Sequence, residues 1–111
     1  KDPSIKFWSL WQNEKLVGCG ALKFLNEGHG EFKSIRIADK FRGKGLGAKI
    51  IYHLISEAKK INIKKLSIET GSGPFFSPAR KLFQNCGFKT CEPFAHYKDD
   101  PNSCYFTLDL K

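Results

Sequence analysis

Residues 41–48, FRGKGLGA, set three glycines among basic residues, directly ahead of a helical apolar stripe. Leu46, Ile50, Leu54, Ala58 and Ile61 recur at spacings of three or four, and Ile51 and Ile55 widen the stripe. That period predicts an amphipathic helix over 46–61 with one face on a core. Lys49, His53, Ser56 and Lys60 fall on the other faces. Whatever the fold, a flexible and basic turn must deliver the chain to the amino end of this helix.

The segments before the glycines read as strands. Residues 6–12 (KFWSLWQ) carry aromatics suited to a sheet, Asn13-Glu14 makes a turn, and residues 15–25 (KLVGCGALKFL) form a second strand. Residues 26–30 read as a loop. Residues 31–38 (EFKSIRIA) alternate, which predicts Phe32, Ser34 and Arg36 on one face and Lys33, Ile35 and Ile37 on the other. The three strands suit an antiparallel meander. After the long helix come a strand at 65–70, stopped by Gly71-Ser72-Gly73-Pro74, and a short helix at 78–86. Pro78 sits in that helix's first turn and Gly87 lies past its end. A strand at 88–91, a Pro/Asp-rich loop through Asn102 and a strand at 104–110 complete the chain. The order βββ-α-β-α-ββ predicts an α+β domain with a mixed, mostly antiparallel sheet.

The chain has 111 residues, which suits one domain spanning 1–111, and 41% of them are apolar, enough for a packed core. Its net charge of +8 favours an anionic partner. Cys19, Cys86, Cys91 and Cys104 have no C-x-x-C spacing, and His29, His53 and His96 do not cluster with them, so no metal site is expected. The four thiols read as reduced, buried small groups in a cytoplasmic protein. No apolar run approaches the ~20 residues that span a bilayer, so no membrane partner is expected. The start lacks a signal-peptide core and a Met, which reads as processing or trimming.

Three structures can account for the glycines. One is a plain flexible connection with a solvated basic edge. A second is a dinucleotide fingerprint, since Gly43-x-Gly45-x-x-Ala48 fits G-x-G-x-x-G/A and Glu69 follows about 20 residues on. Antiparallel-looking strands and the intervening residues 39–42 argue against it. The third is a pyrophosphate cradle. Glycines let successive N–H groups face one anion, the helix end adds donors and a positive dipole, and Arg42 and Lys44 add charge.

At this point the sequence resembles the GNAT superfamily of acyl-CoA-dependent N-acetyltransferases. Arg42, Gly45 and Gly47 match the family's Arg/Gln-x-x-Gly-x-Gly/Ala motif, and Ala79-x-x-Leu82-aromatic-x-x-x-Gly87-Phe88 is similar to its penultimate helix and the strand after it. GSGPFFSPAR and EPFAHYKDDPNS resemble a small bacterial-type subgroup. The resemblance covers nearly the whole chain. It implies a V-shaped splay between the strand at Ile35–Ile37 and that at Leu66–Thr70. It implies acetyl-CoA as cosubstrate, with the backbone of Ile35, Arg36 and Ile37 on the pantetheine arm. The N–H groups of Arg42, Gly43, Lys44, Gly45, Leu46, Gly47 and Ala48 would hold the pyrophosphate. Phe83 stands where many members carry a Tyr acid against the coenzyme, and Phe76 where many carry an Asn. The chain also enters almost directly at the family's second strand, leaving the acceptor half short.

An acceptor amine needs a base, since its lysine-like pKa of about 10.4 leaves it charged at neutral pH. Glu31 and Glu69 are the candidate bases, each weighed against a surface role. Tyr97 is the candidate acid, weighed against packing. His29 reads as an exposed loop residue, less readily a base. Trp8, Trp11, Phe75, Phe76 and Phe94 read as core or pocket wall. Arg36, Lys40, Lys49, Arg80 and Lys81 read as a solvated basic face, or as holding the coenzyme's 3′-phosphate.

The expected function is acetyl transfer from acetyl-CoA to a primary amine of a small molecule or peptide, by direct attack. The alternative is a catalytically weak or inactive acyl-CoA-binding domain. Nucleic-acid binding ranks third, because the basic residues are spread and no nucleic-acid motif occurs. An open cleft and an unpaired strand favour a homodimer.

Overall fold

The first hairpin is set by its turn. Asn13 and Glu14 both take left-handed backbone angles, φ 50° and 64°, the two-residue geometry whose twist matches antiparallel strands. It joins β1 (Ile5–Gln12) to β2 (Lys15–Asn26), and β3 (His29–Ile37) continues the meander. Then follow α1 (Leu46–Lys60), β4 (Lys65–Gly71), a 3-10 turn (Pro74–Phe76), α2 (Ser77–Asn85), β5 (Lys89–Thr90) and β6 (Ser103–Asp109). This computed structural model describes residues 4–38 and 45–110. The strands form one sheet in the order β1-β2-β3-β4-β6-β5, antiparallel except for β3 beside β4.

The element order is the expected one, with shifted ends. β3 begins at His29, so the expected loop residue His29 belongs to a strand. The expected strand at 88–91 shrinks to two residues.

Strict alternation along 31–38 does not hold. Cys19 pairs Arg36 while Ala21 pairs Lys33, so Ser34 and Ile35 together oppose Gly20. This is a β-bulge, and Ser34 sits in it at φ 54°. The extra residue resets the side-chain phase. Ile35 and Ile37 therefore join Phe32 in packing on the core below α1, instead of facing away from it. The period-2 rule fails because it presumes an unbroken ladder.

The same stretch opens the sheet. β3 and β4 are paired only from His29↔Lys65 to Phe32↔Ile68. Beyond that point β3 stays with β2, through Gly18↔Ile37, and β4 stays with β6, through Gly71↔Ser103. The sheet forks there, as the resemblance implied.

α1 lies on one face with Ile50, Ile51, Leu54, Ile55 and Ala58 buried, at about 1.5–3 kcal/mol for each large side chain. Leu22, Phe32, Leu66, Ile68 and Phe106 meet it from the sheet. Aromatic expectations divide. Trp11 is 63% exposed and Phe75 83% exposed, so neither is core. Of the four free cysteines only Cys86 is buried; Cys19, Cys91 and Cys104 are half-buried. Among the described residues no helix is long and apolar enough to cross a membrane.

A non-glycine residue held at positive φ costs about 1–2 kcal/mol, and a β-branched one costs most. Ser34→Val is therefore expected to lower stability by about 1–2 kcal/mol, with Ser34→Gly within about 1 kcal/mol of the parent. Urea midpoints measure both, and equal midpoints for Val and Gly would mean that the bulge holds no strain.

Candidate active site

The fork and the helix start meet at one end of the sheet. Gly45 caps α1 at φ 76°, and among the described residues no atom lies within 4 Å of where a Cβ would stand. A left-handed cap of this kind favours glycine. Among the described residues no side chain caps the helix, and no acidic residue lies in its first turn. The first N–H groups of α1, from Leu46, Gly47 and Ala48, have no partners within the helix. Gly47 has a different role: a Cβ there would stand 3.0 Å from Leu82 and 3.2 Å from Ile37. Its bareness lets α1 approach β3 and α2 closely. Arg42, Gly43, Lys44 and Lys40 lie outside the described residues.

Past the fork, Ile35 and Ile37 turn their side chains to the core. Arg36 is exposed on the strand between them. Phe83 is 6% exposed and packs on Phe88 and Phe106, at ring distances of 6.0 and 6.2 Å. It is a core residue, and its ring offers almost no surface to a coenzyme. Arg80 is also reassigned. Its Nη1 donates to the carbonyls of Gly71 and Gly73, both at 2.8 Å. It clamps the turn after β4 rather than facing solvent as part of a basic surface.

The sheet face opposite α1 carries the titratable groups. Before the bulge, the odd residues of β3 point this way, so His29, Glu31 and Lys33 share the face with Ser67 and Glu69 of β4. Glu31 has a side chain only 4% exposed. Its Oε2 accepts a 2.6 Å bond from the Tyr97 hydroxyl and lies 3.5 Å from Lys33 Nζ. Lys33 Nζ also donates to the Tyr97 oxygen at 3.3 Å. A buried carboxylate needs such partners, because desolvation without them is costly. The structure thus joins two expected site residues, Glu31 and Tyr97, through a third that sequence reasoning missed, Lys33. Its spacing of two from Glu31 was the available signal.

Tyr97 sits on the long loop between β5 and β6. Phe94 meets it edge-on at 5.2 Å, Tyr105 packs on both rings, and the Tyr105 hydroxyl donates to the Lys98 carbonyl at 2.9 Å. This aromatic cluster pins the loop over the polar face. Burial, followed by the bond and charge of Glu31, pushes the Tyr97 phenol above the ordinary tyrosine range. Glu69 takes a separate place: its Oε2 accepts from Ser103 Oγ at 2.7 Å. His29 Nε2 lies 2.7 Å from Ser67 Oγ. Burial, aided by Lys65, lowers the His29 pKa, against an opposing pull from Glu31.

A cavity of about 480 Å³ opens on this face, and Glu31, Lys33, Tyr97, Lys23, Asn26 and His29 are among the residues that line it. The site therefore has two halves. The helix start and fork suit an anionic, extended ligand. The cavity supplies a buried carboxylate, neutral hydrogen-bonding groups and cations. Among the described residues no group of three metal-ligating side chains is gathered.

Comparison with known proteins supplies the family and matches the fold. The family model described as the acetyltransferase (GNAT) family matches residues 1–88. A Bacillus subtilis protein named as the N-acetyltransferase YsnE is 48% identical over 110 residues, which cover 99% of this chain and 73% of its own. A solved structure from Klebsiella pneumoniae, described as an acyl-CoA N-acyltransferase, superposes with a TM-score of 0.88 at 30% identity, covering 97% of this chain and 74% of that one. A Bacillus subtilis acetyltransferase in complex with CoA shares the fold, with a TM-score of 0.82 at 21% identity over 97% of this chain and 78% of that one.

The raised Tyr97 pKa makes its stabilising contribution complete below the ordinary tyrosine pKa of about 10 and lost as pH rises beyond it. The ultraviolet phenolate titrations of wild type and Tyr97→Phe are expected to superpose up to about pH 10 and to separate only above it. Separation at lower pH would mean that Glu31 does not hold the phenol. His29 acts at the other end. Its lowered pKa gives stability that is present above its ordinary value of 6.5 and lost as pH falls through it.

Proposed function

Because the chain belongs to the GNAT acetyltransferase family, we propose that it transfers an acetyl group from acetyl-CoA to a primary amine of a small molecule or peptide. The observation that carries this reading is the pairing of an uncapped, acid-free helix start with a forked sheet that leads to a buried carboxylate. The residues fit the coenzyme: Gly45 brings no side chain to the helix end, and the N–H groups there suit a pyrophosphate. Leu46, Gly47 and Ala48 would supply those donors, with Arg42, Gly43 and Lys44 just before them in the sequence. The backbone of Ile35, Arg36 and Ile37 would line the pantetheine arm at the fork. Bound acetyl-CoA would supply an acetyl thioester.

The chain's own task is to hold an amine and take its proton. At neutral pH a lysine-like amine is free in only about one molecule in a thousand or fewer, a penalty of about 4–5 kcal/mol. Glu31 is the proposed base, acting directly or through one water. Its Oε2 is committed to Tyr97 and Lys33, which leaves Oε1 for the amine. The nitrogen lone pair then forms the C–N bond as the C–S bond breaks, and the nitrogen's second proton passes to water or to the departed thiolate. The thiolate leaves unaided, since a thiol pKa near 8.5 makes it a tolerable leaving group. A phenol pushed above the tyrosine range is a poor donor to that thiolate. We therefore assign Tyr97 to orienting Glu31 rather than to acid catalysis. Glu69, bonded to Ser103, adds negative charge that favours a cationic acceptor. A reducing compartment such as the cytoplasm fits the four free thiols.

Titration calorimetry with acetyl-CoA tests the coenzyme half. Gly45→Asn and Gly45→Asp both tolerate a left-handed cap and are good helix caps, so only charge separates them. Wild type is expected to bind one acetyl-CoA, Gly45→Asn to bind it more weakly, and Gly45→Asp to lose at least about tenfold relative to Asn. Equal affinities for Asn and Asp would place the pyrophosphate elsewhere. For the chemistry, Glu31→Gln is expected to lower kcat about a hundredfold with coenzyme affinity unchanged. Saturable binding with no turnover of any amine by the wild type would instead favour the inactive coenzyme-binding reading.

A further inference from the structure

The cavity beside Glu31 contains a cation that the proposed reaction does not use. Lys23 of β2 stands directly opposite Glu31 in the β2–β3 register and lines the same 480 Å³ cavity. Directly opposed residues hold their Cβ atoms about 5 Å apart on one face. Yet the Glu31 carboxylate turns away, to Tyr97 and Lys33. Among the described residues no hydrogen bond or ion pair engages the Lys23 ammonium. The formally charged residues of the lining, histidines aside, are two lysines and one glutamate. Lys33 is already shared between Glu31 and the Tyr97 oxygen. The surplus positive charge is therefore that of Lys23. Asn26 adds an amide near it, and His29 is held toward its neutral form.

We propose that the acceptor is an amine that also carries an anionic group, a carboxylate or a phosphate, which Lys23 binds while the amine faces Glu31. The inference rests on the acetyltransferase reading and names the acceptor class within it. The geometry fits a small zwitterion. Lys23 and Glu31 lie one strand spacing apart, with the Glu31 carboxylate turned toward Tyr97 and Lys33, so a molecule with both charges a few bonds apart can reach both. A simple diamine would set its second cation against Lys23. The subsite also has a selective function: it rejects acceptors by leaving a charge unpaired as well as by attracting the matching ones.

The test uses matched amines. Ethylamine, β-alanine and phosphoethanolamine share a two-carbon amine and differ in the anion. L-phenylalanine with 2-phenylethylamine, and L-lysine with cadaverine, extend the comparison to larger bodies. With acetyl-CoA saturating, kcat/KM is expected to favour the anionic member of each pair by about tenfold or more, the size of a charge-assisted hydrogen bond. β-Alanine against phosphoethanolamine tells which anion is preferred. Lys23→Glu is expected to abolish or invert the preference, whereas Lys15→Glu, an exposed charge change on the same strand outside the cavity, leaves the ratio intact. A ratio near one in wild type, or one unmoved by Lys23→Glu, overturns the inference. A second readout needs no turnover. Titrating the CoA-loaded protein with N-acetyl-β-alanine and with N-ethylacetamide, followed by NMR, should give saturable shifts around Lys23 for the first alone. Shifts for both or for neither overturn the proposal. Absence of turnover together with those shifts would count against the acetyltransfer reading and leave the anion subsite standing.

Discussion

The fork between β3 and β4 is the constraint on which the remaining structure depends. Parallel pairing holds the two strands together for four residue pairs and then stops at Phe32 and Ile68. Two residues later Ser34 takes a left-handed conformation and bulges out of the β2 ladder. A bulge bends its strand and increases the local twist. β3 consequently leaves with β2, and β4 leaves with β6. Because the bulge also resets the phase, Ile35 and Ile37 keep their side chains on the α1 core while the strand turns away. The opening thus costs little apolar burial, and it parts the sheet beside the amino end of a helix. Gly47 completes the arrangement by letting that helix approach Ile37 and Leu82 at the limit of contact.

The opposite face of the sheet follows a different logic. It places a carboxylate where water hardly reaches, and that is tolerable only with partners. Tyr97 and Lys33 provide them. Tyr97 can do so because Phe94 and Tyr105 hold its loop in place. Packing on one side of the loop therefore sets the proton inventory on the other. The phenol stays protonated and donates, the carboxylate accepts, and the lysine bridges them. A network of this kind, with every member engaged, orients its groups more firmly than any single pair would.

Much of this was legible in residue order alone. The helical stripe from Leu46 to Ile61, the glycine turn before it and the strand–turn punctuation yielded the element order and sheet class. Glu31 and Tyr97 were both named as site residues, although nothing in their spacing of 66 residues joins them. Other assignments failed for local reasons. Phe83 looked like a coenzyme contact, yet Phe88 and Phe106 enclose it. Arg80 looked like surface charge, yet two carbonyls of the turn at 71–73 use it. Trp11 and Phe75 read as core or pocket wall, and their exposed rings rule out the core. In each case the side chain's chemistry was read correctly and its neighbours were not.

By itself the sequence determined which segments become strands and helices and where a phosphate-sized anion could meet bare backbone. These follow from properties that lie next to one another along the chain: apolar period, glycine's freedom and helix-end polarity. Tertiary structure alone decided which carboxylate is buried, which phenol holds it and which lysine is left unspent. Those outcomes depend on contacts between residues far apart in the chain, such as Tyr97 with Glu31, and on a one-residue bulge. Local propensity does not encode the register of a neighbouring strand, and a shift of one residue moves every later side chain to the other face.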